Sequence, residues 1–141
     1  MSDFMKRLSA VQKEIGVLEK SSSNPFFKSK YADITSMLKR VQPILEKYEM
    51  LMLQPSIVKD GQTHQGTCIY DLNSDDEASS WCIMPKLDDP QKQFACSTYF
   101  RRLTLQNLLA VPSEDDDGNF AAGRAPSKKA STKKQPDRGD F

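Results

Sequence analysis

Asp60-Gly61 stands between two apolar runs, MLMLQPSIV at 50–58 and THQGTCIY at 63–70. No other short feature constrains the fold as strongly. A two-residue hairpin turn of type I′ needs positive φ at both central residues; glycine adopts it without steric cost and aspartate tolerates it. The two runs therefore pair antiparallel. LNSDDEAS then reads as a polar loop, and SSWCIMP as a third strand. Three strands joined by short loops make an antiparallel β-meander.

The segments on either side have helical spacing. Phe4, Leu8, Val11, Ile15 and Leu18 form one apolar stripe, which predicts a helix over about residues 3–20 with Ser2 as N-cap. SSSNP ends it, because proline disfavours helix at the preceding Asn24. Asp33 caps a second helix whose wide apolar face runs from Ile34 through Met37, Val41 and Leu45 to Tyr48. Pro43 inside it predicts a kink or a division. Beyond the sheet, residues 92–109 suit a third helix, with Phe94, Thr98 and Leu105 near one face and Tyr99, Phe100 and Leu103 widening it. Val111-Pro112 closes it, and SEDDDGN is turn-forming. The expected class is α+β: a three-stranded antiparallel meander followed by a helix, with the N-terminal helices packed on the sheet.

Composition divides the chain. Residues 121–141 hold few large apolar side chains, too few to offset the entropy of ordering them. The expectation is one domain over 1–120 and a disordered basic tail over 121–141. The tail carries six basic residues against two acidic, net +4, and the remainder fourteen against seventeen, net −3. A basic arm on a mildly acidic body fits a polyanion, with Lys128, Lys129, Lys133 and Lys134 as tail contacts. The bland reading is a solubilising tail. Cys68, Cys82 and Cys96 lack CxxC spacing and His64 is the single histidine, which fits neither a zinc site nor a disulfide framework. Free thiols suit the cytoplasm. No apolar run approaches the ~20 residues of a membrane span.

Enzyme motifs are missing. No GxxxxGK[ST] loop supports ATP chemistry, and no nucleophile has a matched base. The clusters Asp75-Asp76-Glu77 and Glu114 to Asp117 could hold Mg²⁺ only if the backbone aimed them at one ion; otherwise they are solvated loops. No cofactor is called for. What remains is cations interleaved with aromatics: Lys28, Lys30 and Tyr31 within NPFFKSKYADI, and Tyr99, Arg101 and Arg102. Phosphates attract Lys and Arg, and exposed bases stack on flat side chains. The same mixture also occurs on plain amphipathic faces and on adaptors that bind proteins. Phe26 and Phe27 read as packing anchors. Arg101 and Arg102 point about 100° apart on a helix, so they do not share one task.

NPFFKSKYADI, DPQ, STYFRRLTLQNLLAV and EDDDGN, in this order, resemble the Erf family of phage single-strand annealing proteins over about residues 5–120. The resemblance implies an ATP-independent, non-enzymatic recombination protein. It would bind single-stranded DNA in a positively charged groove, anneal complementary strands and assemble as a ring or filament around a β-β-β-α core. It further implies action in the bacterial host cytoplasm, with a single-strand-binding protein or exonuclease of host or phage as a further partner, and no membrane. Thr98, Tyr99, Arg101 and Arg102 match the family pattern. Phe94 stands where a small residue is usual, Phe100 where alanine is usual, and Leu103 where tyrosine is common. These departures bear on how closely a neighbour or a DNA strand can approach the helix entry.

Overall fold

The computed structural model describes residues 1–19 and 33–112. Helix α1, Asp3–Ile15, starts where the Ser2 hydroxyl accepts from the Met5 amide, and ends at Gly16, whose φ of 67° lies in the left-handed region. It is shorter than its apolar stripe suggests, because the glycine turns the chain; Leu18 still reaches the core beyond the helix end. Helix α2, Ile34–Lys47, is capped by Asp33, which accepts from the Ser36 amide at 2.7 Å. Pro43 lies inside α2 without dividing it. Both Pro43 and Lys39, whose carbonyl loses its partner, are exposed, so water can satisfy the freed group.

The sheet runs β1 (Met50–Leu53), β2 (Ser56–Lys59), β3 (Gln62–Asp71) and β4 (Glu77–Ile83), all antiparallel, with β3 central. The expected first strand is thus two segments, and they keep one register: Leu53 faces Cys68 and Ser56 faces Gln65. The break falls at Gln54-Pro55, because proline has no N–H to give the ladder. The Pro55 carbonyl still accepts from the Gly66 amide at 3.0 Å. The Asp60-Gly61 hairpin forms as expected, with φ of 54° and 76°. The meander is therefore present, its first strand notched by a proline.

Alternation sorts the sheet's two faces. Met50, Met52 and Ile69 point to the helices and join Phe4, Val11, Ile15, Met37, Val41, Leu45, Leu105 and Leu109 in the core. Their neighbours point the other way, and β1 and β4 show the period of two in their exposure. On that other face the Trp81 ring lies flat over Gly66: a β-carbon at Gly66 would meet ring atoms at 2.4 to 2.7 Å. Gly66→Ala is expected to force Trp81 off its seat at a cost of roughly 1–3 kcal/mol. Urea unfolding measures the loss, and the emission of the single tryptophan shifts red in the native baseline. An unchanged midpoint would show that the ring moves aside freely.

Helix α3, Pro90–Leu109, crosses the helix-side face. Its second half is held by apolar contacts through Leu105 and Leu109. Its middle, from Ser97 to Thr104, rests on a polar seam. The Ser97 hydroxyl donates to Gln65 Oε1 at 2.7 Å, and the Thr104 and Thr67 hydroxyls meet at 2.8 Å. Gln54 Nε2 bridges Thr67 Oγ1 and the Arg101 carbonyl, both at 3.0 Å. Gln65 and Thr104 are fully buried, so each lost partner would leave a desolvated polar atom, worth roughly 1–3 kcal/mol. The seam therefore fixes the rotation of α3 about its own axis, and with it the direction of the side chains on the outer surface.

Candidate nucleic-acid interface

The seam turns Ser97, Thr104 and the Arg101 carbonyl toward the sheet, which sends Tyr99 outward. Tyr99 is 53% exposed. Arg102, one turn further along, places its guanidinium carbon 5.7 Å from the centre of the Tyr99 ring. Phe100 meets the same ring edge-on, with centroids 5.3 Å apart. An arginine over an exposed tyrosine makes a cation–π pair in which the flat ring is braced and the positive charge sits beside it. A base can stack on such a ring while its phosphate meets the guanidinium.

Arg101 belongs to the adjacent face. Its Nη2 lies 3.4 Å from Thr98 Oγ1, a long contact, and Thr98 in turn donates to the Phe94 carbonyl. Among the described residues no carboxylate pairs with Arg101. The two arginines are thus separated as the helical angle requires, one stacked on tyrosine and one reaching toward Thr98. Phe94, 71% exposed, stands at the entry of α3 beside Thr98. It enlarges the apolar part of this surface.

Lys28, Lys30 and Tyr31, and the tail residues Lys128, Lys129, Lys133 and Lys134, lie outside the described residues. Of the NPFFKSKYADI motif only Asp33 and Ile34 are described, at the start of α2. The acidic cluster Asp75-Asp76-Glu77 does not converge: the Asp76 amide is tied to the Ser74 hydroxyl in the turn, while Glu77 begins β4. Among the described residues no three His, Cys, Asp or Glu side chains gather as a metal site. The three cysteines are free thiols, Cys68 buried and the others partly so. No helix among the described residues is long and apolar enough to cross a membrane.

The sequence pattern pointed to Tyr99, Arg101 and Arg102 and set the two arginines on different faces, but did not assign which lies beside the tyrosine. It also passed over Gln54, Gln65, Ser97 and Thr104, which orient the helix that carries them. A signal for these was present: two polar residues seven apart, Ser97 and Thr104, interrupt the face of α3 that should be apolar.

Fold and site together define a small α+β domain whose final helix presents cations and an exposed aromatic beside an antiparallel meander. The sequence model of the ERF superfamily matches residues 4–139, nearly the whole chain. The chain belongs to the ERF superfamily. No curated protein and no solved structure matches it.

Proposed function

We propose that this protein binds single-stranded DNA and anneals complementary strands without ATP, acting in phage homologous recombination as a ring or filament. Membership of the ERF superfamily carries the reading. The braced Tyr99–Arg102 pair and the neighbouring Arg101 support it, since annealing requires only that strands be held by their backbones with base edges free. No bond is made or broken in such a step. Each protomer offers few cations, so assembly along the strand multiplies a weak affinity.

The test is an annealing assay with complementary oligonucleotides and no nucleotide cofactor, read beside electron micrographs of the same sample. Annealing well above the spontaneous rate is expected; its absence in a folded, assembled sample refutes the reading. Lys28→Ala combined with Arg101→Ala is expected to slow annealing on the order of tenfold, because two phosphate contacts are lost. Circular dichroism should remain that of the wild type, since Arg101 makes no ion pair among the described residues. Wild-type annealing by the folded double variant removes these two residues from the interface.

A further inference from the structure

The face of the sheet turned away from the helices is largely apolar, and no other described element covers it. Leu51, Leu53 and Ile57 on the β1–β2 side are 43–47% exposed, and Trp81 and Ile83 on β4 are 38% and 54% exposed. Between them β3 offers the small residues Gly66 and Cys68. Among the described residues no helix lies on this side; the core forms on the other. We propose that this face binds the same face of a second copy, giving a two-fold, sheet-on-sheet dimer.

Chemistry selects that occupant over nucleic acid. The face carries a single lysine or arginine, Lys59, and its large side chains are mostly aliphatic, so it lacks the cations that a polynucleotide demands. Lys59 and Glu77 are its two charged residues. Lys59 sits at the hairpin end of one outer strand, opposite Gln62; Glu77 sits at the far end of the other outer strand, opposite Tyr70. They occupy diagonal corners. A two-fold axis in the plane of the interface, perpendicular to that diagonal, lays each Lys59 over the partner's corner that holds Glu77, with apolar surface between. A self-complementary contact of this kind is what an isologous dimer needs.

The area is adequate. Three strands spaced about 4.8 Å apart and some ten residues long project about 480 Å² per copy, hence roughly 1,000 Å² in total before side-chain relief is added. That is the size at which specific interfaces begin. Two twisted sheets pack face to face about 10 Å apart with interleaved side chains.

Trp81 is the only tryptophan of the chain and lies in this face, so it reports directly. Its emission is followed in the full-length protein, free of nucleic acid, while concentration rises from about 0.1 to about 100 µM. Solution mass is measured on the same samples by light scattering. The dimer predicts a blue shift that accompanies a doubling of mass, whether the unit that doubles is one protomer or a ring of them. Leu53→Glu with Ile83→Glu should abolish both. Lys59→Glu should weaken association at least several-fold, and Lys59→Glu with Glu77→Lys should restore it. Blue-shifted emission at doubled mass throughout marks a tight dimer. Red-shifted, exposed emission at undoubled mass across the whole range overturns the proposal. So does a blue-shifted emission at every dilution with undoubled mass, which would mean that another part of the same chain covers the face. Should the Leu53–Ile83 variant fail to fold, the charge reversal decides: persistent weakness in the swapped pair overturns the proposed geometry. No DNA enters these measurements, so failure of the sheet-face contact leaves the annealing reading standing.

Discussion

Arg7→Ala is expected to lower the melting temperature by roughly 10–20 °C. The Arg7 guanidinium is a three-way tie. Nη2 donates to Asp71 Oδ1 at 2.7 Å, Nη1 donates to the Tyr48 carbonyl, and Nε donates to the exposed Asp3 carboxylate at 2.7 Å. It thereby joins α1 to the end of α2 and to the end of β3; Glu14, which accepts from Lys47 Nζ at 2.9 Å and from the Tyr48 hydroxyl at 3.1 Å, is a second tie between the two helices. The Asp71 side chain is only 3% exposed. Taking its partner away strands a carboxylate in a place that water hardly reaches, and this costs more than the pair ever contributed. The Ser74 hydroxyl, at 2.7 Å, and the Asn73 amide would still donate to Asp71, which holds the effect within that range.

The same site sets an acid limit. The hydrogen bond from Arg7, followed by that from Ser74, holds the Asp71 carboxyl down at about 2. A carboxylate whose folded-state pKa is depressed stabilises the fold fully above its ordinary value, and that stability is lost as pH falls toward the folded value. The window therefore runs from about pH 4 down to about pH 2. Thermal melts at pH 7, 4, 3 and 2 should fall steeply across it in the wild type. In Arg7→Ala the acid limb should be shallower, because the strongest influence on Asp71 is absent. Parallel curves would show that Arg7 and Asp71 are not coupled.

Oligonucleotide affinity is expected to fall roughly 50-fold between about 50 and about 200 mM salt, if Lys28, Lys30, Arg101 and Arg102 each neutralise one phosphate per protomer at a slope of about −0.7 for single strands. Fluorescence anisotropy with a labelled, unstructured oligonucleotide gives that slope. Removing Arg102 should reduce the slope by about one contact and also remove the brace on Tyr99, so that stacking weakens together with charge. Tyr99→Ala should weaken binding by roughly 1–3 kcal/mol while leaving the salt slope unchanged. An affinity that ignores salt rejects the electrostatic account. A slope that changes with Tyr99→Ala would assign the ring to positioning Arg102 rather than to stacking on bases.

Much of the domain was legible before any tertiary contact was considered. Ser2 and Asp33 announce helix starts because a short side-chain oxygen can satisfy an orphan amide, and both do. Asp60-Gly61 announces a hairpin because its φ values admit few alternatives. Less legible was the end of α1, where the apolar stripe continues through Leu18 although the helix stops at Ile15. Periodicity records which residues are buried, and a residue just past a helix end can be buried as well as one within it. The Pro55 notch is similar: pattern placed one strand there, and only pairing with β3 shows that the register survives the missing amide.

The local elements, their order, the antiparallel meander and the residue types suited to a polyanion are readable along the chain, because capping, turn dihedrals and apolar period act over a few neighbouring residues. Only tertiary contacts reveal which side of α3 faces outward, and which apolar side chains lie on the sheet face away from the described helices. These depend on long-range partners: the rotation of α3 is set by Gln54, Gln65 and Thr67, some thirty to fifty residues away. No window along the chain contains both sides of such a contact.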